Sequence, residues 1–313
     1  MLGKTAGGLF WMFRYLERSE NTARMIDAGL RISLTRSSAA ESEWASIIDS
    51  TGLRAAYLQR HEKIEGAAVI DFLLRDKSNP GSVIAAVENA RNNARLVRTA
   101  LTREVWEAVN ECYMVLKDKL ARPIRDRELP VVLQTIRQRT AFVRGALHGT
   151  MLRNDIYDFA RIGTFFERAD NMARILDVKY YILLPSVSQV GSLADNVQWE
   201  TILRATSSVR AYQTVTEGET DPRSIAEFLM LDRRSPRSLA FCYGKILDNL
   251  GYLETQYGQH VPSYAMAEKI SGRFNNYSVE AIFDFGLHEF IAEFLNDSRA
   301  LGYQIEQDYR FIE

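Results

Sequence analysis

Three blocks of sequence recur in the same order along this chain. A chain that repeats itself over most of its length is confined to architectures built from two like units. Leu16-Glu17-Arg18-Ser19-Glu20-Asn21-Thr22-Ala23-Arg24-Met25-Ile26-Asp27 returns as Phe166-Glu167-Arg168-Ala169-Asp170-Asn171-Met172-Ala173-Arg174-Ile175-Leu176-Asp177, an offset of 150 residues. Trp44, Ile47, Thr51, Ala56 and Tyr57 return as Trp199, Ile202, Thr206, Ala211 and Tyr212 at an offset of 155. Phe72-Leu73, Asp76, Pro80 and Ser82 return as Phe228-Leu229, Asp232, Pro236 and Ser238 at an offset of 156. The small drift in offset fits loop insertions between equivalent elements.

The repeated unit reads as helical. Apolar residues recur at intervals of three and four, as in Val83, Val87, Ala90 and Ala94 or Val105, Val109, Tyr113 and Leu116, and sustained alternation is hard to find. Asn79-Pro80-Gly81 breaks the chain ahead of Ser82, a helix cap, and Ser235-Pro236 does the same in the second half. Thr102 caps a helix over about Arg103 to Leu120, which Arg122-Pro123 closes, and another helix follows Pro130. Loops are expected at Pro185–Asp195 and Glu217–Pro222, both rich in Gly, Ser, Asp or Pro. The expected fold is therefore all-α: a helical bundle of two pseudo-twofold-related copies of a multi-helix unit. No long low-complexity linker separates the copies, so we expect a single domain, 1–313, with halves near 1–150 and 151–313.

On the first repeated helix, Glu17, Asn21 and Arg24 share one stripe, as do Glu167, Asn171 and Arg174 on the second; Arg18 and Arg168 lie about 100° away. Two readings of that row are open. In one, the two helices pack together and Glu17 pairs with Arg174 while Glu167 pairs with Arg24, a buried network that sets the register of the halves. In the other, the row lines a cleft, where Arg24 and Arg174 hold a carboxylate or phosphate by forked hydrogen bonds.

Other chemistry finds little support. Gly3-Lys4-Thr5 lacks the upstream glycine and strand of a phosphate-binding loop. His61, His148, His260 and His288 follow Leu58, Gly145, Tyr257 and Phe285 by three residues, so no Glu-x-x-His pair of a di-iron bundle exists. We expect His148 and His288 to be capping residues or satisfied core hydrogen-bonders. No Gly-x-Ser-x-Gly elbow occurs, and Cys112 and Cys242 have no metal-ligand spacing, so both read as buried thiols. No metal and no cofactor is expected. The Arg91, Arg95, Arg98 and Arg103 cluster and the Arg137, Arg139 and Arg144 cluster read as solvated faces, because the formal net charge is only -1, and no nucleic acid is expected. Trp11, Phe13, Tyr15, Trp44 and Trp106 read as core aromatics. The apolar stretch Leu9 to Phe13 is too short and too soon followed by charge for a secretory signal, and no membrane span is present, so a cytoplasmic protein is expected.

The repeated Glu-Arg helices, the Trp and Phe-Leu-x-x-Asp-x-x-x-Pro-x-Ser blocks, and Thr150-Met151-Leu152-Arg153-Asn154-Asp155 ahead of Tyr157 resemble the alpha-E family of bacterial helical proteins, essentially over the whole chain. The family's Glu-Arg positions fall on Glu17-Arg18 and Glu167-Arg168. The resemblance implies company with circularly permuted ATP-grasp proteins and with transglutaminase-like peptidases, and hence a role in making or modifying a peptide or amide bond. The reading that follows is a noncatalytic binding or scaffold protein acting with an ATP-grasp-type ligase. The alternatives are an enzyme or substrate carrier whose cleft the duplicated helices line, and a purely structural oligomer subunit.

Overall fold

A computed structural model describes residues 1–35, 40–183, 199, 201–216 and 222–312. The described residues are helical with no strand: α1 Gly3–Thr35, α2 Ala40–Thr51, α3 Arg54–Leu58, α4 Gly66–Leu74, α5 Val83–Leu96, α6 Arg103–Lys119, α7 Leu129–Thr150, α8 Asp155–Leu183, α9 Val209–Thr216, α10 Pro222–Leu231, α11 Leu239–Tyr257, α12 Pro262–Asn276, α13 Val279–Phe285 and α14 Leu287–Asp308.

Capping chemistry sets several of these limits. Ser82 accepts the Ala85 N–H at 3.3 Å, Ser238 that of Phe241 at 3.0 Å, and Thr102 that of Val105 at 3.4 Å. Pro130 stands in the first turn of α7, where a missing N–H costs nothing. Pro222, expected to close a loop, instead opens α10 for the same reason. The other expected loop, Pro185–Asp195, and the remainder of Glu217–Pro222 lie outside the described residues.

The two longest helices, α1 and α8, carry the repeated motif and form the centre. Each gathers its own neighbours: α1 packs on α5 and α7 with α6 bridging them, and α8 packs on α11 and α14 with α12 between. One contiguous apolar core runs through both sets, from Phe10 and Leu16 to Phe166, Ile246 and Phe294. Trp44, Phe13, Cys112 and Cys242 are buried in it, whereas Trp11, Tyr15 and Trp106 are only partly covered. Burial pushes both thiols up to about 12, which keeps them protonated and inert.

Contacts climb α1 and α8 together, from Phe10 beside Gly163 and Phe166 to Met25 beside Asn171, so the helices run in the same direction. Their closest approach depends on Gly163, where an added Cβ would lie 2.2 Å from the Phe10 carbonyl oxygen. Backbone, unlike a flexible side chain, cannot step aside. Gly163→Ala should therefore cost about 1–3 kcal/mol of stability, as overpacking does, measured as a lowered midpoint in urea denaturation; an unchanged midpoint would show that the helices separate freely.

Candidate functional site

The motif residues meet where α1 passes α8, and the two glutamates exchange partners across it. Arg18 donates Nε to Glu167 Oε1 at 2.5 Å and Nη2 to Oε2 at 2.9 Å. Arg168 returns the contact, Nε to Glu17 Oε1 at 2.8 Å and Nη2 to Oε2 at 3.0 Å. Both are forked pairs, the strongest geometry available to a guanidinium and a carboxylate. The pairs expected from the helical stripe, Glu17 with Arg174 and Glu167 with Arg24, do not form. Arg24 pairs instead with Glu20 and Arg174 with Asp170, each four residues back on its own helix, the favoured acid-before-base order. It is the flank bearing Arg18 and Arg168 that faces the partner helix.

Around Glu17 the cluster is dense. Arg237, 9% exposed, donates to Glu17, Glu20 and Asn21 Oδ1 at 3.2, 3.0 and 2.9 Å. Arg144 on α7 reaches both carboxylates, and Thr140 donates to Glu20 at 3.0 Å. Arg144, read from sequence as part of a solvated face, thus belongs to the buried network, and its neighbour Arg137 pairs with Asp27 at 3.3 Å. The cluster around Arg91 keeps more of its expected character: Arg95 and Arg98 are exposed, and Arg91 is half-buried against Asn110 and Tyr113. Burial alone would raise the carboxyl of Glu17, yet Arg168, Arg237 and Arg144 hold it well below the carboxylate range, and Glu20 and Glu167 are lowered too. Burial brings the Arg237 guanidinium down to about 10.

The Glu167 side differs. Its second partner is Arg14, at 2.9 Å, whose guanidinium is sandwiched 4.6 Å from the Trp11 ring and 5.0 Å from Phe166. Beside it opens a cavity of about 550 Å³, within the range of small-molecule sites. Its wall holds Arg18, Glu167, Asp170 and Arg174, the amides Asn21, Asn89 and Asn171, the rings of Trp11, Tyr15 and Tyr303, and Arg299 and Glu306 from α14 and Gly81 before α5. Asn21 Nδ2 is buried at this wall with no hydrogen-bond partner, although its Oδ1 is held by Arg237. Asn171 donates only to the Met25 sulfur, at 3.7 Å.

One aligned position accounts for the difference between the two sides. In the third repeated block Gly81 corresponds to Arg237. Arg237 fills the space beside Glu17; Gly81 leaves the space beside Glu167 open. That glycine-for-arginine difference was readable in the sequence, and it is the signal that could have found both Arg237 and the cavity. Arg14 and Arg144, by contrast, carry no such mark.

No histidine lines the cavity beside Glu167. His148 Nδ1 lies 2.7 Å from the Tyr157 hydroxyl and His288 Nδ1 2.5 Å from Asp177 Oδ1, so both are hydrogen-bonded as expected, though His148 lies at the surface rather than in the core. Among the described residues no three His, Cys, Asp or Glu side chains gather as a metal site, and no helix is long and apolar enough to cross a membrane.

Fold and site together define an all-helical protein organised around a buried Glu-Arg exchange between its two central helices. The chain belongs to the Alpha-E family, described as a predicted alpha-helical domain with a conserved ER motif, which matches residues 1–310. It is similar to an uncharacterised protein of Mycobacterium bovis and one of Mycobacterium tuberculosis, each 24% identical over 308 residues, covering 92% of this chain and 34% of theirs. The chain thus spans about a third of the length of those relatives. No solved structure matches it.

Two outcomes test the network. Arg168→Ala removes the forked partner of buried Glu17, leaving it Arg237 and Arg144, and should cost about 1.5–3 kcal/mol, whereas Arg174→Ala, which breaks a half-exposed pair within one helix, should cost no more than about 0.5 kcal/mol; equal midpoints in chemical denaturation would refute the difference. Because the glutamates are depressed, their contribution is present above the ordinary glutamate value near pH 4 and lost as pH falls below it. Stability should drop on acidification through that range, and less steeply in Glu17→Gln.

Proposed function

We propose that this chain is a noncatalytic binding protein whose cavity beside Glu167 takes a small zwitterionic, amide-bearing molecule, an amino acid or short peptide. The single observation that carries the reading is the chemistry of that wall. Arg18, Arg174 and Arg299 offer N–H groups for a carboxylate, Asp170 and Glu306 suit an ammonium group, and three asparagine amides stand ready for a peptide group. The aromatic side chains supply apolar area without many rotamers to freeze. The unpartnered Asn21 Nδ2 leaves a donor for a ligand or water to satisfy.

A catalytic role for the motif carboxylates is disfavoured by their ion pairs. A glutamate held below its ordinary value by two or three arginines is a poor proton acceptor near neutrality. Chemistry on the bound molecule would fall to a partner, and an ATP-grasp-type ligase in a peptide- or amide-forming system is the partner we propose, in the cytoplasm. A transglutaminase-like peptidase acting on the same product is compatible with this scheme. We read 1–313 as one domain with halves near 1–150 and 151–313, which the continuous core supports.

Titration calorimetry of the chain with free amino acids and a dipeptide panel tests the ligand. Saturable binding is expected, weakened about tenfold or more by Arg174→Gln, since a charge-assisted hydrogen bond contributes about 1.5–3 kcal/mol. Gly81→Arg should abolish it by filling the cavity as Arg237 fills its counterpart; the nearest atoms to an added Cβ there are the Leu53 methyl Cδ1 at 2.9 Å and Asn79 Oδ1 at 3.3 Å. Binding that survives both substitutions, or no binding by any member of the panel, would overturn the assignment. Recovery of an ATP-grasp ligase on the tagged chain from its own cells tests the partner separately.

A further inference from the structure

A second, smaller pocket lies on the Arg168 side of the helix pair, away from Arg18 and Arg174. Its volume is about 250 Å³, several times the roughly 30 Å³ one water occupies in the liquid. Three arginines, Arg144, Arg161 and Arg168, and His148 stand in its wall with Thr164 and apolar groups, and among the described residues no carboxylate does.

The charge around it does not balance. Glu17 and Glu20 are the two carboxylates of the adjoining buried cluster, and Arg24, Arg144, Arg168 and Arg237 are its four guanidinium groups. Arg161 adds a further cation. It sits 4.6 Å from the Phe165 ring centroid and 5.7 Å from that of Tyr157, with no carboxylate in ion-pair contact among the described residues. The acid one turn before it, Asp158, is pushed up to about 7 by burial and by Asp155, so near neutrality it is only partly charged. The surplus is felt locally. Partial burial lowers both His148 and Arg161, and nearby arginines add to it: Arg161, Arg153, Arg144 and Arg168 act on His148, and Arg168 and Arg153 on Arg161, where Tyr157 and Asp158 oppose them.

We propose that the pocket walled by Arg144, His148, Arg161 and Arg168 is an oxyanion site that takes a phosphate or a phosphoryl group. Converging guanidinium groups favour a tetrahedral dianion over a carboxylate, because it brings two charges and more acceptor oxygens to the same donors. Among the described residues Arg161 is the arginine of the set with no hydrogen-bond or ion-pair partner. Arg168 spends Nε and Nη2 on Glu17 and Nη1 on the Pro236 carbonyl at 3.0 Å, and Arg144 uses Nη1 on Glu17 and Glu20. This site is independent of the cavity beside Glu167.

The test is calorimetry of the full chain with inorganic phosphate as the probe, followed by methyl phosphate, in chloride-matched buffer. Saturable one-site binding of phosphate is expected, weakened about tenfold or more in Arg161→Gln and unchanged in Arg299→Gln, which alters the other cavity. Arg161→Lys, which keeps the charge but loses the fork, should fall between wild type and Arg161→Gln, and it carries the comparison should Arg161→Gln fail to fold. Methyl phosphate binding at least as tightly as phosphate would identify the occupant as the phosphoryl end of a larger molecule, and phosphate alone would identify the free ion. Absence of saturable binding of either probe, or equal affinity in wild type and the Arg161 variants, would overturn the proposal.

Discussion

Glu17 and Glu167 sit in the interior where the two central helices meet, and the remainder of the structure is arranged to make that tolerable. Taking a carboxylate out of water costs several kcal/mol, and only a well-formed, fully hydrogen-bonded cation offsets it. Each central helix supplies the other's cation through the residue that follows its own glutamate. The exchange works at one register alone: a slide of one residue would rotate Arg18 and Arg168 away from their acceptors. A network of this kind adds little net stability against an apolar replacement. What it supplies is a penalty on every other way of joining α1 to α8, and the close contact of Gly163 with the Phe10 backbone tightens the same constraint.

On that shared frame the two sides differ. The Glu17 side is packed with side chains from α7 and from the turn before α11, so that its carboxylates are met by four arginines. The Glu167 side keeps two arginines and a cavity. A single position explains most of this: a long cationic side chain at 237 occupies volume that a glycine at 81 leaves open. A buried charged cluster that is over-supplied with arginine has its own consequence, since the excess must be balanced by solvent, by a shifted proton equilibrium or by a bound anion.

The helical architecture was legible because its signals are local. Period-three-and-four apolar spacing, Ser82, Ser238 and Thr102 before helices, and Pro130 inside a first turn all act within a few residues of where they are read. The Glu-Arg row itself was legible for the same reason, as a polar stripe repeated on two long helices. Which arginine meets which glutamate was not, because pairing depends on the direction in which the helices pass, and a helical wheel holds no information about its neighbour. The stripe argument favoured Arg24 and Arg174, whereas local i,i+4 partners had the prior claim on both. Arg144 was misread for a related reason: exposure was inferred from a near-zero net charge, although a long side chain on a half-buried helix face can reach inward as easily as out.

Asn21 connects the two halves of the site. Its carbonyl oxygen is held by Arg237 on the closed side, and its amide nitrogen lies unpaired at the wall of the open cavity. The arginines that neutralise Glu167 are likewise cavity walls. Groups fixed by a buried network lose little freedom when a ligand arrives, so the rigidity demanded by the two glutamates is also preorganisation of the pocket. Under the proposed function Glu167 need not touch a ligand to determine whether one binds. It holds Arg18 and Arg14 at the positions from which a carboxylate can be read.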